Sequence, residues 1–154
     1  MTPFRDTSLP RPAAILGIVG LVPFIVLAAE VATNFPLGTA MRMPAQAALI
    51  QYGAVILSFV GGSQWGLAVA SADRSDAWRR FGFSIVPSLL SLLALWLGGR
   101  SGLITLAVAL GIWGVYEIWS TGLGEAPQWY GRLRLGLTVV SVAALTLAAT
   151  YGPA

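Results

Sequence analysis

Five apolar runs decide what this chain can fold into. They cover residues 13–32, 45–70, 81–97, 102–120 and 135–151. A hydrocarbon core about 30 Å thick is crossed by ~20 consecutive apolar residues of helix. The second run exceeds that length and has room to tilt, while the last three are somewhat short. Lipid offers no partner for an unpaired peptide group, so each run is expected to be a helix. The alternating ~10-residue segments of a membrane barrel are absent. The expected fold is all-α: an integral membrane bundle of five transmembrane helices in a single domain, residues 1–154. The first run is read as an uncleaved anchor. It is longer than a signal-peptide core, and Glu30 stands where small residues would precede a cleavage site.

Composition agrees, and it removes whole classes of chemistry. Charged residues are 10% of the chain and hydrophobic residues 56%, whereas soluble domains are about 25% charged. Cys and His number 0, and with no Lys in the sequence all nine basic residues are Arg. Disulfides, thiolate nucleophiles, imidazole–metal sites, His-dependent triads and Schiff-base lysines are therefore excluded. Two facing acids for intramembrane aspartyl catalysis are missing as well, because Asp6, Asp73 and Asp76 fall outside the runs. No catalytic residue, cofactor or metal is expected. The net charge of +3 does not suggest nucleic acid, since the arginines sit in short gaps between apolar runs rather than on a basic face.

Those arginines set an expected topology. Arg5, Arg11, Arg74, Arg79, Arg80, Arg132 and Arg134 share one side of the membrane, leaving Arg42 and Arg100 on the other. The positive-inside rule puts the N-terminus inside and the C-terminus outside. The expected location is a bacterial inner membrane, or the mitochondrial inner membrane in a eukaryote. The lipid bilayer is then the first partner.

Within the runs, small residues recur at every fourth position of the second: Ala54, Ser58, Gly62, Gly66 and Ala70. Such a row permits close helix–helix approach. It serves either packing inside the bundle or docking of another membrane subunit. Gln51, Ser58, Gly62 and Trp65 share about 60° of that helix, and Gln64 points elsewhere. These polar groups read as interhelical hydrogen-bonding residues or as the wall of a small-solute cavity.

Glu117 is the one acid well inside a run. A carboxylate at that depth calls for a basic partner or a proton. Trp113 lies one turn before it, and Arg132 and Arg134 open the fifth run on the same side. A structural Glu–Arg pair is the leading expectation, with a titrating group in a proton or cation path as the alternative. Glu30 lies near the opposite interface, where snorkelling is expected. In 127–134, Trp129 and Tyr130 suit the headgroup region, and Arg132 and Arg134 suit phosphate or carboxylate partners.

Three elements together resemble the transmembrane protein 69-like family, which carries a domain of unknown function. They are Phe59-Val60-Gly61-Gly62-Ser63-Gln64-Trp65-Gly66 preceded by Tyr52-Gly53-Ala54, then Ser84-Ile85-Val86-Pro87-Ser88, then Pro127-x-Trp129-Tyr130-x-x-Leu133-Arg134-x-x-Leu137-Thr138. The resemblance spans about residues 45–140 and implies a small multi-span inner-membrane protein. It implies no reaction. Members often carry a basic residue where this chain has Gln64. Two functional expectations remain: a non-catalytic accessory, assembly or structural subunit of a larger membrane complex, or a small-solute, lipid or proton-linked transporter with a polar pocket around Glu117 and Gln64. Gln51, Ser58, Gly62, Gln64, Trp65, Gly66, Trp113, Glu117, Trp129, Tyr130 and Arg134 form the candidate polar and packing site.

Overall fold

A computed structural model describes residues 8–34, 44–70, 77–124 and 126–152. Arg5, Asp6, Arg42, Asp73, Arg74 and Asp76 lie outside the described residues. Five helices follow one another: α1 Arg11–Thr33, α2 Ala45–Ala70, α3 Ala77–Leu97, α4 Gly99–Gly122 and α5 Gln128–Tyr151. All five are long and apolar enough to cross a membrane, and there is no strand among the described residues. The chain is an all-helical membrane protein.

Local chemistry sets the helix ends. Prolines pre-shape the starts of α1 and α5, where Pro10 and Pro127 hold extended N-cap conformations and no intrahelical N–H is lost. α1 stops at Asn34 in the left-handed region, φ 52°, a common helix terminator. α3 and α4 are joined by Gly98 alone, at φ 60° and followed by Gly99 at φ 48°. Only glycine takes two such positions in a row at little cost.

Four starts precede the hydropathy boundaries, that of α1 by two residues. α3 begins at Ala77 rather than 81, α4 at Gly99 rather than 102, and α5 at Gln128 rather than 135. Hydropathy falls at the first polar or charged residue, whereas the backbone ladder continues through Trp78-Arg79-Arg80 and through 128–134. Aromatic and arginine residues are at home in the interfacial turn of a membrane helix.

In packing, each helix meets its sequence neighbours, α1 closes on α5, and α2 touches α4 across the middle. Phe24, Leu49, Leu57, Leu103, Leu106 and Leu145 are fully buried at the centre. Without a solvophobic force between lipid-embedded helices, contact quality depends on close backbone approach. At Gly61 an added Cβ would sit 2.5 Å from the Ser84 carbonyl and 3.2 Å from Pro87; at Gly114 it would sit 2.5 Å from the Thr138 side chain. These glycines let α2 meet α3, and α4 meet α5.

The row of small residues on α2 behaves differently from a bundle-centre seam. Ala54 is buried, Ser58 is half-buried, and Gly62, Gly66 and Ala70 are exposed. A four-residue step drifts about 40° around the helix, so the row leaves the packed face after its first member. The buried set is Leu49, Ile50, Gly53, Ala54, Leu57, Val60 and Gly61, a helical stripe facing the core.

Candidate functional site

Glu117 has no exposed surface, and its carboxylate is held from two other helices. On α2, Gln64 donates from Nε2 to Glu117 Oε1 at 3.0 Å. On α5, the Tyr130 hydroxyl donates to the same oxygen at 2.6 Å, and Arg134 pairs through Nε with Oε2. Tyr130 and Arg134 are four residues apart, so one face of the first two turns of α5 presents both. The site exists because α5 is already helical at Gln128. The Glu117 backbone carbonyl also accepts from Thr121 Oγ1 at 2.6 Å and Ser120 Oγ at 3.0 Å. Gly131 lets α5 come close here: a Cβ on it would stand 3.0 Å from Thr121 Oγ1.

An acid buried without partners is costly, while one matched by an arginine and further donors is tolerated. Within the site, the charges of Glu117 and Arg134 offset each other locally. The geometry is that of a three-helix clasp.

The remaining candidates divide around this clasp. Trp113 is buried one turn before Glu117, yet its indole Nε1 has no hydrogen-bond partner, so it flanks the carboxylate without bonding it. Arg132 is exposed, and Arg134 supplies the pair. Trp129 is half-buried, edge-on to Tyr130 with ring centroids 6.0 Å apart. Trp65 packs on Phe81 at 4.7 Å while remaining 45% exposed. Gln51 is exposed toward the other end of α2, away from Gln64, and a Cβ added at Gly62 or Gly66 would meet nothing within 4 Å. Ser58 is half-buried. Glu30 departs from its snorkelling expectation, being only 6% exposed; a carboxylate packed in the helix interface is removed from the headgroups that snorkelling requires. Sequence reading did not place Ser120 or Thr121 in the site. Their spacing of three and four residues after Glu117 was the available signal, since hydroxyls there reach back to the carbonyl.

Two spaces border the clasp. A small one of about 10 Å³ lies among Gln64, Phe83, Trp113 and Tyr116, about the size of one water. A cleft of about 380 Å³ opens on the other side, with Ser63, Trp129, Tyr130 and Arg134 among its lining residues.

Residues 9–150 match the family model described as Protein of unknown function (DUF3429). The chain belongs to this family. Among curated proteins it is similar to "Transmembrane protein 69" of Xenopus tropicalis, 36% identical over 140 residues, which cover 88% of this chain and 53% of that protein. It is also similar to "Transmembrane protein 69" of Mus musculus, 28% identical over 138 residues, covering 86% of this chain and 53% of the relative. The chain thus spans about half the length of these curated relatives. No solved structure matches. Of the three elements that carry the resemblance, Phe59–Gly66 and 127–138 supply the donors to Glu117.

Proposed function

We propose that this chain is a non-catalytic subunit of the membrane, an accessory or assembly component that packs against other membrane-embedded chains. One observation carries the reading: the fully buried Glu117 carboxylate is enclosed and matched by Gln64, Tyr130 and Arg134. A proton or cation relay needs a succession of exchangeable groups reaching water. A clasp of this kind instead fixes the register of α2, α4 and α5 and gives the bundle a rigid outer surface. On that surface, Gly62 and Gly66 lie open on α2. The chain's own helix contacts use Gly61 and Gly114, so this part of α2 remains free for the close approach of a partner's apolar helix. The bilayer in question is proposed to be a bacterial or mitochondrial inner membrane, with the N-terminus inside.

The test is native mass after gentle extraction. The wild-type chain is expected in a complex heavier than itself, containing a second membrane protein. Gly62→Ile with Gly66→Ile is expected to release the partner without changing the melting temperature of the isolated chain. A monodisperse monomer with no co-purifying protein overturns the proposal.

A further inference from the structure

The cleft beside the clasp runs lengthwise between α1, α2 and α5. Its wall on α1 extends from Ala13 to Phe24, which at 1.5 Å per residue is about 17 Å. Half of a ~30 Å hydrocarbon core is about 15 Å, so the cleft is as deep as one leaflet. Its volume of about 380 Å³ lies within the ~300–1,000 Å³ range of small-molecule sites. The two ends differ in chemistry. Leu21, Phe24 and Leu110 line the deep part together with Ser141, whose hydroxyl donates to the Thr138 carbonyl, while Ser63, Tyr130 and Arg134 line the part at the clasp.

Arg134 supplies the second observation. The residue is 9% exposed and lines the cleft. Its Nε is committed to Glu117, but its buried Nη2 has no hydrogen-bond partner. A buried donor left unmatched is costly, and a guanidinium donor is matched best by an anionic oxygen. On α1, Arg11 precedes the lining residue Ala13 by two positions.

We infer that this cleft holds an anionic phospholipid from the leaflet at the N-terminal end of α1. One acyl chain lies along Gly17, Gly20 and Phe24, and a phosphate oxygen accepts from the Arg134 guanidinium. Glu117 keeps its side of the guanidinium, so lipid and clasp share Arg134 without competing for the same nitrogen. Gly20 is the open part of the wall: an added Cβ there meets nothing nearer than the Tyr52 hydroxyl at 3.8 Å. A larger side chain at this position extends into the space assigned to the acyl chain and leaves the Glu117 cluster untouched.

The experiment titrates delipidated protein with phosphatidylglycerol, phosphatidylcholine or inorganic phosphate, reading bound mass by native mass spectrometry and melting temperature in parallel. One phosphatidylglycerol per chain is expected on the wild type, bound at least several-fold more tightly than phosphatidylcholine and raising the melting temperature. Gly20→Leu is expected to weaken it about tenfold or more with the apo melting temperature kept. Arg134→Lys retains a cation for Glu117 but lacks Nη2, and is expected to lose the preference for phosphatidylglycerol. Should Arg134→Lys fail to fold, Gly20→Leu decides alone. Equal retention of both lipids by wild type and Gly20→Leu overturns the inference. So does full competition by inorganic phosphate, or a homodimer whose formation excludes lipid.

Discussion

Removing the charge of Glu117 while keeping its shape probes the clasp most directly. Glu117→Gln retains the volume and one acceptor oxygen, but the new amide cannot accept from Gln64, Tyr130 and Arg134 together. It also leaves the Arg134 guanidinium without a counter-charge in a site with no exposed surface on the Glu117 side. Breaking a buried pair by removing one partner costs about 3–5 kcal/mol. The retained oxygen places this variant at the lower end, about 3 kcal/mol. For a chain of this size that corresponds to a melting shift on the order of 10 °C. Arg134→Met strands the opposite charge and is expected to cost about as much. The double variant removes both charges, and replacing a whole pair by apolar groups is often close to neutral. The double variant is therefore expected to be more stable than the sum of the single losses by at least about 1 kcal/mol. The assay is reversible unfolding in mixed micelles of rising sodium dodecyl sulfate fraction, followed by tryptophan fluorescence. Trp113, buried one turn from Glu117, reports on the site. Single losses that add to within about 0.5 kcal/mol refute the clasp, and so does a Glu117→Gln variant as stable as the wild type.

The glycines of α2 allow a contrast in adjacent positions. Gly61→Ala drives a methyl to 2.5 Å from the Ser84 carbonyl and is expected to cost about 1–3 kcal/mol in the same assay, whereas Gly62→Ala, with nothing within 4 Å, leaves the isolated chain as stable or slightly more so. Topology is checked by thiol labelling, which is clean because the chain has Cys 0. Ser101→Cys is expected to react from outside with a membrane-impermeant maleimide, and Ser8→Cys only after permeabilisation; the reverse pattern overturns the assigned orientation.

Much of the fold was legible because lipid is a demanding solvent. Five apolar runs in a chain with 10% charged residues allow little besides five helices. What hydropathy missed was the interfacial turns, since Trp78-Arg79-Arg80 and residues 128–134 are helical yet polar. That error matters most at the site. Treating 127–134 as a rim makes Tyr130 and Arg134 headgroup anchors. As the first turns of α5 they become a single face, four residues apart, directed at Glu117. The pairing of Glu117 with an arginine on the same side was readable from sequence, and so was the presence of Tyr130 and Gln64 among the candidates. That Gln64, Tyr130 and Arg134 meet at the Glu117 carboxylate was not readable, because it depends on α2 and α5 both packing against α4. A list of spans carries no information on lateral order.

Side-chain direction around α2 divides its motif in function. Its glycines are adjacent in sequence but about 100° apart on the helix, so Gly61 and Gly62 face different solvents. A Cβ added at Gly61 would run into the Ser84 carbonyl and Pro87, whereas one added at Gly62 would meet nothing within 4 Å. Two residues further on, Gln64 turns inward to Glu117, while Trp65 stays half out and packs on Phe81. One short segment thereby supplies a backbone contact to α3, a hydrogen bond to α4 and an outward surface. Ser63, on its remaining side, lines the cleft of about 380 Å³. A substitution at any one of these positions acts on one of four neighbours. Sequence spacing alone, which treats the segment as one motif, cannot separate those effects; the direction of each side chain around the helix does.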